Sequence, residues 1–175
     1  AAETLDDLLF LYEKRFESRN IKVIKQYDKD VEITALAGEI RQAFSNLVTN
    51  AIDAMPDGGK LVLRVAKSHE WSGAQHHGVR VTMLDTGSGI EARHKKNIFQ
   101  PFFTTKTDVG TGLGLWITRG ILEKHRGSIR MKSRTGHGHG TAFSIFLPTE
   151  YAAGLDASPA RSSRNSLVSA GDPAR

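Results

Sequence analysis

Asp85-Thr86-Gly87-Ser88-Gly89 and, after a spacer, Gly110-Thr111-Gly112-Leu113-Gly114-Leu115 give this chain a carboxylate and two glycine clusters. The apolar run Val79, Val81, Met83, Leu84 predicts a strand ending at Asp85. Glycines directly after a strand let backbone approach a ligand where a Cβ would collide. The second cluster opens a helical pattern at Leu113, Leu115, Trp116, Ile117, Ile121 and Leu122, so its free N–H groups and positive dipole end suit phosphates. Something flat and something phosphorylated can both be held by these loops. Neither loop is G-x-x-x-x-G-K-[ST], and the order of elements does not fit a dinucleotide fingerprint, which excludes the two commonest nucleotide motifs.

The elements that would position these loops begin with residues 39–55. Apolar residues at 40, 43, 44, 47, 48, 51, 54 and 55 predict an amphipathic helix. Asn46, Asn50 and Asp53 then share one of its faces. Asparagine is a mediocre helix former, so two of them a turn apart ask for a reason. Two readings stand: they bridge neighbours in a core, or their amide oxygens offer ligands to a hard cation such as Mg²⁺, which takes its remaining oxygens from water and substrate phosphates.

Four ordered boxes resemble the catalytic, ATP-binding domain of sensor histidine kinases, in the superfamily shared with DNA gyrase, the heat-shock chaperone ATPases and MutL. They are Asn46-Leu47-Val48-Thr49-Asn50-Ala51, Asp85-Thr86-Gly87-Ser88-Gly89-Ile90, Ile98-Phe99-Gln100-Pro101-Phe102-Phe103-Thr104-Thr105-Lys106, and Gly110 to Leu115. Gly140-Thr141-Ala142-Phe143 with Leu147-Pro148 is similar to the family's last strand, and the likeness covers roughly residues 20–148. The pairing of Asn-Ala-Ile-Asp-Ala-Met with Phe-Phe-Thr-Thr-Lys resembles the nitrogen-regulation and oxygen-sensing branch.

The resemblance implies ATP and Mg²⁺ as ligands and assigns roles. Asp85 would accept a hydrogen bond from the adenine amine, and Gly87, Gly89 and Ile90 would make room for the purine. Asn50 would ligate Mg²⁺, with Asn46 assisting, and Thr141 would hold adenine directly or through water. Thr111, Gly112, Leu113, Gly114 and Leu115 would meet the phosphates, with Lys106 as a point charge on them. Residues 100–111 would form a lid. Three residues after the metal asparagine many members of the family carry a lysine or arginine to meet the phosphates, whereas this chain has Asp53 followed by Ala54, so beside the nucleotide Asp53 would act only through Mg²⁺ or water. Phe99, Phe102 and Phe103 are expected to serve mainly in packing.

One position separates kinase from hydrolase. In the gyrase, chaperone and MutL branches a glutamate one turn before the metal asparagine activates water; here that position is Asn46, which cannot take a proton. The resemblance therefore implies γ-phosphoryl transfer to a histidine on a dimerisation hairpin outside this chain, with catalysis by Asn46, Asn50 and Lys106 through positioning and charge neutralisation. The implied partners are that hairpin, in the same polypeptide or a dimer partner, and a downstream response regulator. Two alternatives are an ATPase module of gyrase or MutL type and a serine kinase of anti-sigma-factor type. A third is a regulatory nucleotide sensor that transfers nothing.

The remaining histidines carry no chemistry in this reading. His69-Glu70 matches an acceptor dipeptide but is expected in a loop, and His76, His77, His94, His125, His137 and His139 are expected to be solvated rather than zinc ligands. The chain has 175 residues, 39% hydrophobic and no cysteine, enough for one core and consistent with a reducing cytoplasm. No apolar run approaches membrane-spanning length and Ala1-Ala2-Glu3-Thr4 lacks a signal pattern, so this segment is expected to be cytoplasmic and without membrane contact, whether or not its parent is anchored. The net charge of +5 is scattered among acidic residues, which argues against nucleic acid.

The expected architecture is an α/β two-layer sandwich, a mixed sheet covered on one face by helices, as in the histidine kinase ATPase-like fold. Residues 1–19 are expected to be helix and linker from the end of the preceding hairpin, and 20–149 the ATP-binding domain. Within it strands are predicted at 21–27, 31–34, 60–67, 79–85, 128–133 and 141–147, with helices at 39–55 and 113–125. Residues 150–175, rich in Ala, Ser, Gly, Pro and Arg, are expected to be a disordered tail.

Overall fold

A computed structural model describes residues 1–28, 31, 35–71, 77–105 and 110–149. Most of the strand expected at 31–34, Lys106, much of the expected lid, and the tail from 150 lie outside the described residues. Along the chain come α1 (Ala2–Ser18), β1 (Ile21–Tyr27), α2 (Ala37–Ala54), β2 (Gly59–His69), β3 (His77–Asp85), α3 (Gly114–Lys124), β4 (Ser128–Arg134) and β5 (Gly140–Pro148). The five strands form one sheet in the order β1-β2-β3-β5-β4. Only β1 and β2 run parallel, joined by α2, because a parallel pair needs a long crossover connection; the other neighbours are antiparallel. The sheet is therefore mixed, and the helices form a second layer.

Strand parity builds the core. Leu61, Leu63 and Val65 of β2, Val79, Val81 and Met83 of β3, and Phe143, Ile145 and Leu147 of β5 are all buried against the helices. Ile40, Phe44, Leu47, Val48, Ala51 and Ile52 of α2 meet them at helical spacing. The same alternation that buries Val79, Val81 and Met83 puts Asp85 on the inner face, at the very end of its strand.

Helix α1, read from sequence as the end of a preceding hairpin, lies in this same core. Leu5, Leu8, Leu9 and Phe16 are buried, and α1 packs on α2 and β1. Tyr12 bonds to Ser45 at 2.8 Å and accepts from Thr49 at 3.2 Å, while Lys25 reaches Asp6 at 2.7 Å. Desolvation of the Tyr27 phenol, with the Asp6 carboxylate beside it, pushes that hydroxyl above the ordinary tyrosine range. No helix among the described residues is long and apolar enough to cross a membrane.

Two expectations change. His69 is the last residue of β2, paired with His77 across the hairpin, rather than part of a loop; the rings lie 4.5 Å apart. The strands run past their apolar stretch because Trp71 folds back onto Arg80 and Phe146, prolonging the pairing. His125 is buried, not solvated: its Nε2 meets Glu39 Oε2 at 3.0 Å. Lys124 meets the other oxygen of Glu39 at 2.5 Å, so the start of α2 is tied to the end of α3. The hydrogen bond from Lys124, followed by that of His125, holds the Glu39 carboxyl below its ordinary value.

Phe44 is wholly buried and Leu11 is exposed. Phe44→Ala should cost about 3–5 kcal/mol, while Leu11→Ala should stay within about 0.5 kcal/mol, both read from urea unfolding followed by circular dichroism.

Candidate active site

The site is a ring of contacts around α2. At one end, Ser88 N–H donates to Ala54 C=O at 3.0 Å, and Gly87 lies against Ala54 so closely that an added Cβ would sit 2.7 Å from the alanine methyl. Eight residues earlier, Asn46 Nδ2 donates to Gly114 C=O at 3.0 Å and to Thr118 Oγ1 at 3.2 Å. The two glycine clusters thus meet the same helix about 12 Å apart along its axis, at 1.5 Å per residue. Asn50 is half-buried midway, one turn from each contact.

The acidic end is a closed hydrogen-bond network. Asp85 is buried, and its Oδ1 accepts from Gly87 N at 2.9 Å and from Thr141 N at 3.2 Å, so neither neighbour takes Oδ2. Thr141 stands directly opposite Asp85 across the β3–β5 pair. Its hydroxyl is 2.9 Å from Ser133 Oγ, which itself donates to Gly140 C=O at 2.9 Å and accepts from Ile90 N at 2.7 Å. A hydroxyl has one proton, so Thr141 donates to Ser133 and keeps acceptor lone pairs for a ligand. Gly89, at φ +75, sets the turn that delivers Ile90 to Ser133. Burial pushes the Asp85 carboxyl above its ordinary value of 3.8, partly offset by the backbone N–H groups it accepts.

At the Asn46 end of the ring, α3 starts at Gly114 with Leu113 as its N-cap residue and no side-chain cap bond. Its first N–H groups are directed at whatever lies beyond the helix end, with the positive dipole behind them. Leu115 is half-buried against the core. Thr111 Oγ1 accepts from Leu113 N at 3.4 Å, a weak local brace. Gly112 adopts φ +67 with Phe102 backbone against it; a Cβ there would lie 2.7 Å from the Phe102 carbonyl oxygen.

Several sequence expectations are placed differently. Phe99 and Phe103 pack against the core, but the Phe102 side chain is 75% exposed and its backbone is at φ 63, so it does not pack. The reason is local: the backbone of Phe102 is what seats Gly112, and that turns its ring outward. Asp53 is met by Arg15 of α1 at 3.5 Å. Lys106 lies outside the described residues. Two participants were missed. Ser133 centres the Asp85–Thr141 network, and only its register opposite Thr141 reveals it. His139, though exposed, donates from Nδ1 to Gly87 C=O at 2.6 Å, holding the first glycine loop; its place just before Gly140-Thr141 was the available signal.

The family model described as histidine kinase-, DNA gyrase B- and HSP90-like ATPase matches residues 36–151. The chain belongs to this ATPase family. It is similar to sporulation kinase A of Bacillus subtilis (37% identical, covering 79% of this chain and 21% of that protein) and to the sensor kinase CckA of Brucella abortus (38% identical, 83% and 16%). It thus spans 21% and 16% of the length of these two relatives. The solved catalytic domain of the histidine kinase ThkA superposes with a TM-score of 0.71 at 33% identity, covering 85% of this chain and 92% of that one. ThkA is also solved in complex with a response regulator protein, TrrA, where the TM-score is 0.68 at 30% identity, with 86% of this chain and 40% of that one covered. The mixed sheet with its helical layer is the fold of these ATPase-family domains.

Because the folded Asp85 carboxyl titrates above the unfolded one, its ionised form opposes folding of this ATPase-family domain at neutral pH, and that opposition disappears below 3.8. Asp85→Asn preserves an acceptor for Gly87 and Thr141 while removing the charge. It should raise the Tm of the ligand-free domain at pH 7, with the gain vanishing as the pH falls through the raised value toward 3.8. The same substitution should weaken ATP at least tenfold, about the worth of one hydrogen bond to a charged group. Calorimetry across pH, with and without ATP, reads both.

Proposed function

We propose that this chain is the ATP-binding catalytic domain of a sensor histidine kinase, transferring the γ-phosphoryl of ATP to a histidine on a helical hairpin outside the chain. The observation that carries the proposal is the state of Asn46. It occupies the place where a hydrolase of this family would keep a base, and its amide is already committed to Gly114 and Thr118. Nothing at that position can take a proton from water. The catalytic task left to the protein is to hold and orient the phosphates until an acceptor arrives.

The donor set fits ATP with Mg²⁺. Asn50, with the oxygen of Asn46 that its two hydrogen bonds leave over, offers neutral hard ligands beside the uncapped start of α3, so a cation and a phosphate chain can share this space. Bound Mg²⁺ would neutralise phosphate charge during transfer. Asp85 and Thr141 receive adenine at the other end, and Gly87 and Gly89 leave room for its ring. Lys106 adds a charge to the phosphates from the segment before Gly110. Asp53, engaged by Arg15, acts at most through water. The exposed Phe102 and Trp116, beside the second glycine cluster, offer apolar contact to the arriving hairpin. A response regulator would then take the phosphoryl group from the hairpin, as the pairing of ThkA with TrrA suggests. A reaction that draws on ATP in this way belongs in the cytoplasm.

Mixing the domain with γ-labelled ATP, Mg²⁺ and a histidine-bearing hairpin from the same genome should label the hairpin. The label should be acid-labile, as phosphohistidine is, and Asn50→Ala should reduce transfer by about 100-fold. Release of inorganic phosphate by the domain alone, abolished in Asn46→Ala, would support the ATPase reading instead. Acid-stable label on a partner's serine would support a serine kinase. Nucleotide binding without any transfer would support a regulatory sensor.

A further inference from the structure

The sheet has a second face, opposite the helices, and its chemistry is one-sided. Within the five strands every charged residue turned this way is basic. Lys22, Lys60, Arg64, Arg130, Lys132 and Arg134 are all exposed there, and none has an ion pair among the described residues. Carboxylates collect elsewhere, with Glu3, Asp6, Asp7, Glu13 and Glu17 on α1 alone. Charges that look scattered in the sequence are sorted by the pleat.

The register arranges this face in rows. Ile24, Val62, Leu84 and Ala142 lie side by side across four strands, ending at Lys132 on the fifth. Arg64 and Arg130 stand in the next row, with Gln26, Thr82 and Ser144 completing it, and Lys22 beside Lys60 forms the row on the other side. An aliphatic strip is therefore flanked by cations. Leu84 is 41% exposed, and its neighbours in the strip are half-buried. Trp71 at the distal end carries the Arg80 and Arg130 guanidiniums 4.8 and 4.7 Å from its ring centre, which fixes both head groups in place.

We propose that this open face docks an acidic polypeptide segment, its carboxylates meeting the two cationic rows and its aliphatic side chains lying along Ile24, Val62, Leu84 and Ala142. Charge complementarity selects acid, and the strip selects polypeptide. A nucleic acid would use the cations but leave the strip unfilled, and the tryptophan on this face is occupied by guanidiniums instead of open for base stacking. A membrane surface would need several large apolar groups standing out together, whereas Leu84 is the one exposed large hydrophobic residue among the described strand residues. With strands about 4.8 Å apart the face is roughly 19 Å wide, the scale of a transient, salt-sensitive contact rather than a permanent one. The site lies across the sheet from Asp85 and Asn50, so a segment docked there leaves the nucleotide cleft open.

The test uses the full chain and a fluorescein-labelled peptide of alternating glutamate and leucine, with binding read by anisotropy at low and high salt. The peptide should bind at low salt and at least tenfold more weakly at high salt, about what loss of several charge contacts gives. Arg64→Glu combined with Lys132→Glu should weaken it at least about tenfold, and Leu84→Ser roughly fivefold with the salt dependence preserved. Binding of a fluorescent ATP analogue should be unchanged in both variants, which shows that each is folded. The proposal is overturned if the peptide does not bind at low salt or if the charge reversals leave its affinity unchanged. It is equally overturned if polyglutamate without leucine, oligothymidylate of equal charge, or phosphatidylserine vesicles bind more tightly than the peptide.

Discussion

Helix α2 has to touch two loops that meet it eight residues apart, and it does so through two small polar contacts. The Ala54 carbonyl takes the Ser88 amide, and the Asn46 amide takes the Gly114 carbonyl and the Thr118 hydroxyl. Neither contact buries much area. Both are specific in direction, and each ties a glycine loop to the helix in addition to the contacts that brace the loop itself, Gly87 N on Asp85 in the first and the Phe102 backbone against Gly112 in the second. The apolar side of α2 cannot slide to accommodate an error, because Phe44, Leu47, Val48 and Ile52 are locked into the strands beneath. The Glu39 link to Lys124 and His125 holds the far ends of α2 and α3 together, so the angle between these helices is set from both sides of Asn46.

That rigidity lets a buried carboxylate persist. Asp85 has the inward parity of an apolar strand residue, and burial works against its ionised form. Two backbone N–H groups and the Ser133–Thr141 pair hold its surroundings in one arrangement. Burial opposes the charged form, the backbone N–H groups offset part of that opposition, and what remains is a directed acceptor at the strand end.

Much of this was legible in the sequence, because each legible feature rests on a local rule. Alternating Val79, Val81 and Met83 gives both the strand and the inward direction of Asp85, and the spacing of α2 gives Asn46 and Asn50 one face. Of the two readings of Asn46, bridging of neighbours is what its amide hydrogens do in the fold. Features set by tertiary partners were not legible. The burial of His125 depends on Glu39, far away in sequence, and the engagement of Asp53 depends on Arg15. The role of Ser133 depends on register with Thr141. The outward turn of Phe102 follows from its backbone contact with Gly112, which no composition rule anticipates. Sorting of charge onto one sheet face needs the strand order, which the sequence alone does not specify.

The meeting of Phe102 and Gly112 pinches the chain at the foot of the segment between them. A loop fastened at its base can change length with little penalty to the body that carries it, since doubling a flexible loop costs only about 0.6 kcal/mol in closure entropy. Insertions or replacements above the pinch would leave α3 and its uncapped N–H groups where they are. The length and composition of that segment are therefore free to diverge among relatives while the start of α3 keeps its place.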